Sequence, residues 1–264
     1  LFLPQIAISL YVTLDRTMLG VLASTKDVGI YDQALKLVNI LLTLVTSLGS
    51  VMLPRVANLL ATNNHEEVNK MHEISFLVYN LIIFPIMAGM LIVNDDFVQF
   101  FLGQDFQDAR FAIAIMIFRM FFIGWTNIMG IQILIPHNKN KEFMISTTVP
   151  AITSVGLNLL FLPKLGYMGA AIVSVLTEAF VWAIQLFFTR KYIKDVPIIG
   201  SMMKIILASA IMYGLLLVSK TVIHFSPIVN VLAFAVIGGI IYLFAILSLK
   251  VVDVKELKQI IRKN

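Results

Sequence analysis

Eight long apolar runs dominate this sequence, near residues 1–22, 35–54, 74–93, 110–135, 143–162, 166–188, 202–219 and 227–249. Each is about long enough for a helix to cross a hydrocarbon layer ~30 Å thick. In lipid the backbone N–H and C=O groups must be satisfied by the chain itself, so the runs require helix. Hydrophobic residues make up 59% of the 264 residues and charged residues 13%, with a mean hydropathy of +0.92. A water-soluble fold of this size cannot bury that much apolar surface, and the same composition excludes disorder. An outer-membrane barrel is disfavoured because its strands alternate apolar and polar residues. The expected fold is all-α, a polytopic helical membrane protein of about eight transmembrane helices.

The expected connections are short and polar, the longest being Arg55–Glu73 with nineteen residues. Asp95–Asp105 mixes Phe with acids and is expected to lie along the membrane interface. Leu1 already stands inside an apolar run, with no charged segment before it. The expectation is therefore a fragment whose start has been cut away, not a signal peptide. There are no cysteines, so disulfides and thiolate chemistry are excluded. The net charge of +5 points to basic loops and gives no reason to expect a nucleic-acid partner. One set of alternate loops plus the tail holds thirteen Lys and Arg, among them Arg55, Lys139, Arg190, Lys191 and Lys194, against six in the other set. The richer set is expected to be cytoplasmic, which puts both ends of the fragment on that side. The tail, 250–264, reads either as a basic helix on anionic lipid or as a solvated end.

Two runs carry polar groups on one side. At about 100° per residue, Asp32, Lys36, Asn39, Thr43, Thr46, Ser47 and Ser50 fall within an arc of about 100°. In the first run Gln5, Ser9, Thr13, Arg16 and Thr17 share an arc of about 120°, with Gly20 on it. A single Ser or Thr in such a helix serves close packing well. Two continuous stripes fit a water-lined passage better.

Arg119 lies near the middle of the fourth run, where a charge costs roughly 2.5–3.5 kcal/mol on insertion scales. It would either bind an anionic substrate group or pair with Glu178 of the sixth run. Asp15 and Arg16 sit toward the outer end of the first helix, where they would neutralise each other or meet the interface. Runs seven and eight lack a polar stripe and read as peripheral, with Gly238 and Gly239 as packing sites. No metal-ligand, catalytic or phosphate-loop motif is present, so no catalytic residue, metal or cofactor is expected. His65, His72, His137 and His224 are all expected in loops.

The segment LPQIAISLYVTLDRTMLGVLASTKDVGIYDQALKLVNI (Leu3–Ile40) resembles the seventh and eighth helices of polysaccharide repeat-unit flippases. These belong to the superfamily that also holds the multidrug exporters and the lipid II flippases. VMLPRVANLLA (Val51–Ala61), FFLGQDFQDARFAIAIM (Phe100–Met116) and LPKLGYMGAAIVSVLTE (Leu162–Glu178) are similar to later segments of the same family, in the same order. The resemblance covers essentially the whole chain. It implies the second half of a fourteen-helix fold in which two six-helix lobes face a central cavity. Residues 1–188 would be the second lobe, 189–249 two additional helices and 250–264 a basic cytoplasmic tail.

The implied activity is movement of an undecaprenyl-diphosphate-linked oligosaccharide from the inner to the outer leaflet of a bacterial plasma membrane. The implied partners are this lipid-linked oligosaccharide, the bilayer and the missing N-terminal lobe. Ser9, Thr13, Asn39, Thr43 and Ser47 would serve the sugars, and Arg16, Lys36, Arg55 and Arg119 the diphosphate. A drug or cation exporter of the same superfamily is the alternative, in which Asp15 and Glu178 would couple to an ion. A membrane glycosyltransferase or polymerase would need a large outer loop that the chain lacks.

Overall fold

The computed structural model describes residues 13–222 and 225–251, with the side chains of 44, 45 and 47–51 excepted. The helices are α1 (13–22), α2 (Thr25–Ala61), α3 (His65–Phe101), α4 (Ala109–Met116), α5 (Arg119–Thr126), α6 (Asn140–Ile193), α7 (Ile198–Val222) and α8 (Pro227–Ser248). A 3-10 turn, Gln104–Phe106, precedes α4, and a π-helix, Asn127–Leu134, follows α5. Among the described residues there is no strand, and five rods are long and apolar enough to span a membrane. The protein is an all-helical, multi-pass membrane protein.

The helices run well past the apolar runs that predict them. α2 and α3 have 37 residues each, about 55 Å, so their ends protrude beyond a ~30 Å core. The nineteen-residue connection expected at Arg55–Glu73 shrinks to Thr62–Asn64. Asn63 adopts a left-handed φ of 56°, and the Asn64 side chain caps α3 by accepting from the Glu67 N–H at 3.3 Å. Similarly, Ser24 caps α2 by accepting from the Asp27 N–H at 3.1 Å. Charged residues pass comfortably through a helix once it has left hydrocarbon, and no hydropathy pattern marks where it stops.

The expected interfacial segment at Asp95–Asp105 is not a separate unit. α3 continues unbroken through Asp95 and Asp96 to Phe101, since nothing in Asp95–Phe101 interrupts a helix. Gly103, at φ 76°, follows the end of the helix. Runs five and six are continuous in α6 except at Gly166 (φ 52°, ψ −132°), which divides the rod in two. The turn is held by Asp27, whose Oδ1 accepts the Tyr167 N–H at 3.1 Å. One carboxylate thus joins the starts of α2 and of the second half of α6.

α3 is the scaffold. It packs against α2, α4 and α5 on one side, and α7 and α8 pack on it and on each other. Lys220 bonds the Ile92 carbonyl (2.6 Å) and lies 3.6 Å from Asp96, which also accepts from Asn230 at 2.9 Å. Outward, α7 exposes Ile199, Met203, Leu207, Ile211, Leu215, Val218 and Val222 at helical spacing. α8 does the same from Val229 through Leu247. On rods of spanning length, apolar stripes this long suit a hydrocarbon surround. Gly238 packs closely on Leu216, as a packing glycine should, whereas Gly239 faces open space and does not.

Candidate functional site

Asp32 organises the outer face of α1 and α2. Its Oδ1 lies 2.9 Å from Arg16 Nη2 and its Oδ2 lies 2.9 Å from Lys36 Nζ, one turn along the same helix. The carboxylate bridges the two polar stripes and leaves the trio with one net positive charge. Asn39 and Thr43 continue the face along α2, exposed, and Thr13, Thr17 and Gly20 are exposed on α1. Several hydroxyls donate back to their own helix: Thr17 to the Thr13 carbonyl (3.1 Å), Thr43 to Ile40 (2.7 Å) and Thr46 to Leu42 (3.1 Å). Their lone pairs stay available as acceptors. Ser9 and Gln5 lie outside the described residues, as do the side chains of Ser47 and Ser50.

The remaining expected cations lie elsewhere. Arg55 is exposed, but nineteen residues along α2 from Lys36, about 28 Å away on a straight helix. Arg119 is buried, with Nη2 3.3 Å from Glu178 Oε1 and side-chain exposures of 5% and 6%. Of the two readings of Arg119, the inter-helix pair is therefore present in the structure.

Asp15 and Arg16 do not neutralise each other. They diverge by about 100° around α1, Arg16 to Asp32 and Asp15 inward. There Asp15 accepts from Asn158 Nδ2 at 2.6 Å and from the Tyr31 hydroxyl at 3.5 Å. Asn158 and Tyr31 were not singled out by the sequence. The lone amide in the run 143–162 was a usable signal for Asn158, whereas Tyr31 offered none.

A cavity of about 220 Å³ opens between α5, the π-helix and both halves of α6. Arg119, Thr126, Asn127, Thr147, Glu178 and Gln185 give it polar groups, and Ile123, Ile131, Phe143 and Val181 line the rest. The π-helix shapes this region through its i→i−5 bond from Ile135 N–H to the Gly130 carbonyl (3.1 Å). A side chain at Gly130 would meet the Phe143 ring at 2.6 Å, so any larger residue there would have to displace that ring.

Cross-helix bonds tie the surrounding rods together: Ser75 to Gln132 (2.7 Å), Tyr79 to Asn127 (2.8 Å) and Trp125 to Asn80 (3.0 Å). His72, expected in a loop, is buried in α3. His65 opens the same helix, His137 lies in the turn before α6, and His224 is outside the described residues. Among the described residues no three His, Asp or Glu gather as a metal site.

The arrangement is a charged, hydroxyl-bearing outer face on two helices, backed by a buried polar network. Its fold matches the lipid II flippase MurJ in an inward closed conformation, with a TM-score of 0.79, 18% identity, and coverage of 92% of this chain and 51% of that one. Residues 1–110 match a family model described as polysaccharide biosynthesis protein. The putative O-antigen transporter of Escherichia coli K12 is 27% identical over 189 residues, covering 72% of this chain and 45% of its own length. The probable low-salt glycan biosynthesis flippase Agl15 of Haloferax volcanii is 19% identical over 257 residues, covering 96% and 53%. These findings bear out the resemblance read from the sequence segments. The chain spans about half the length of these relatives.

Proposed function

We propose that this chain is one lobe of a flippase that carries undecaprenyl-diphosphate-linked oligosaccharide repeat units from the inner to the outer leaflet of a bacterial plasma membrane. Residues 1–188 form the lobe, 189–249 two additional helices and 250–264 a basic tail, with both ends cytoplasmic. An opposing N-terminal lobe completes the cavity. No bond is made or broken by the chain.

The observation that carries this reading is the face of α1 and α2, with Lys36, Asn39 and Thr43 exposed and Arg16 and Asp32 part-exposed, in contrast to the apolar outward stripes of α7 and α8. Charged and amide groups facing hydrocarbon are too costly to keep, so the face fits a wet vestibule. The names of the relatives, an O-antigen transporter and a glycan flippase, support the substrate class. A diphosphate would compete with Asp32 for Arg16 and Lys36 through charge-assisted hydrogen bonds, and hydroxyls and Asn39 would meet the sugars. Alternating access would then come from rocking of one lobe against the other.

The test is complementation of a flippase-null cell with the intact protein carrying Arg16→Gln and Lys36→Gln together. Surface polysaccharide should be lost at normal protein levels, while Ile152→Ala, on the exposed apolar side of α6, should leave it intact. Full polysaccharide from the double variant would overturn the reading.

A further inference from the structure

The end of α6 and its C-cap residue Lys194, which keeps helical φ/ψ, place Phe187, Arg190, Lys191 and Lys194 at i, i+3, i+4 and i+7, all exposed and on one face. The Arg190 guanidinium lies 4.6 Å from the centre of the Phe187 ring, and the Lys191 ammonium 4.8 Å from that of Tyr192. Tyr192 stacks on His137 of the neighbouring turn at 4.1 Å. Toward the middle of the helix the same face continues as Phe180, Ala183 and Phe187, exposed and wholly apolar. Of the carboxylates at this end, Glu142 is paired with Lys139 at 3.4 Å. Asp195 is exposed, and among the described residues none of Arg190, Lys191 and Lys194 has an acid within ion-pair distance.

We propose that this face of α6 is a binding site for anionic glycerophospholipids. Acyl chains lie along Phe180, Ala183 and Phe187, and the headgroup phosphate is held by Arg190, Lys191 and Lys194. The aromatic rings sit at the level where one side of a residue is apolar and the other wet. Three cations just beyond them, without an acid partner among the described residues, match the charge of an anionic leaflet, whereas a zwitterionic headgroup brings its own cation. The site is separate from the α1–α2 face and does not depend on what that face carries.

The test uses the intact protein in neutral detergent, with thermal unfolding followed while short-chain phosphatidylglycerol is added. Phosphatidylcholine of the same chain length and inorganic phosphate are the comparison arms. Phosphatidylglycerol should raise the melting temperature saturably and less so at high salt, and the other two should not. Replacing Arg190, Lys191 and Lys194 together by Gln should raise the half-saturating lipid concentration by about tenfold or more. Lys26→Gln with Lys164→Gln, at the opposite end, should leave it unchanged. Equal stabilisation by phosphatidylcholine or by phosphate alone overturns the proposal, as does a triple variant that responds like the parent. If the triple variant does not fold, the comparison of lipids on the parent protein still decides.

Discussion

The Tyr242 hydroxyl donates at 2.9 Å to the carbonyl of Leu81, the residue four before Pro85. Proline has no N–H, so that carbonyl loses its partner within α3. In a membrane span an unsatisfied carbonyl is expensive, and a hydroxyl from a neighbouring helix is one of the few remedies. α8 is therefore fastened to α3 where the proline interrupts its hydrogen bonding. Tyr242→Phe should cost about 1–2 kcal/mol in a reversible unfolding titration. In a Pro85→Ala background, where the backbone supplies its own donor, the same change should cost measurably less, and an unchanged penalty would show that the two are not coupled.

The Arg119–Glu178 pair is buried between α5 and α6. Removing either partner alone leaves a charge in a low-dielectric interior, which costs about 3–5 kcal/mol. Arg119→Met and Glu178→Gln should each lower the folded fraction strongly. The double variant should lose less than the sum, with incomplete recovery because Asp15 also lies within the electrostatic reach of Arg119. Strict additivity in a double-mutant cycle would argue against the pairing.

Gly166 sits at φ 52°, with Asp27 against the position a side chain would take. Gly166→Ala should cost at least roughly 1–2 kcal/mol from the backbone conformation alone. It should also weaken the bond from Tyr167 N–H to Asp27. Faster limited proteolysis near residue 166 in the variant is the expected readout, and an alanine variant as resistant as the parent would contradict it.

His137 lies outside the spans, half-buried against Tyr192, with its Nδ1 2.7 Å from the Ile133 carbonyl. Burial holds its pKa below an ordinary imidazole's 6.5, and Lys191 and Lys139 push the same way. The neutral ring is thus the form the fold prefers. Above pH 6.5 both states are neutral and nothing is lost; as the pH falls from there toward the folded-state pKa, stability declines. Melting temperature measured against pH should drop over that window in the parent and less in His137→Phe, which keeps the stacking.

Hydrophobicity summed over twenty residues made the membrane class and the five described spanning rods legible, because transfer into hydrocarbon depends on local composition and hardly on neighbours. The periodicity of α2 exposed its polar side for the same reason, since 100° per residue is a property of one helix. Helix ends are not legible in the same way: Asp95 and Asp96 are as polar in helix as in loop, and caps such as Asn64 set the boundary. The four histidines looked alike as letters, yet His72 is buried in α3. The π-helix at Asn127–Leu134 left no mark in the hydrophobic pattern.

The sequence by itself determined what solvent each segment meets. Tertiary structure alone decided which polar group meets which: Asp15 with Asn158, 143 positions apart, Asp96 with Asn230, and Glu178 chosen for Arg119 from two open readings. Hydrogen bonds act over about 3 Å. Their partners are therefore fixed by how rods cross in space, information that no single helix carries.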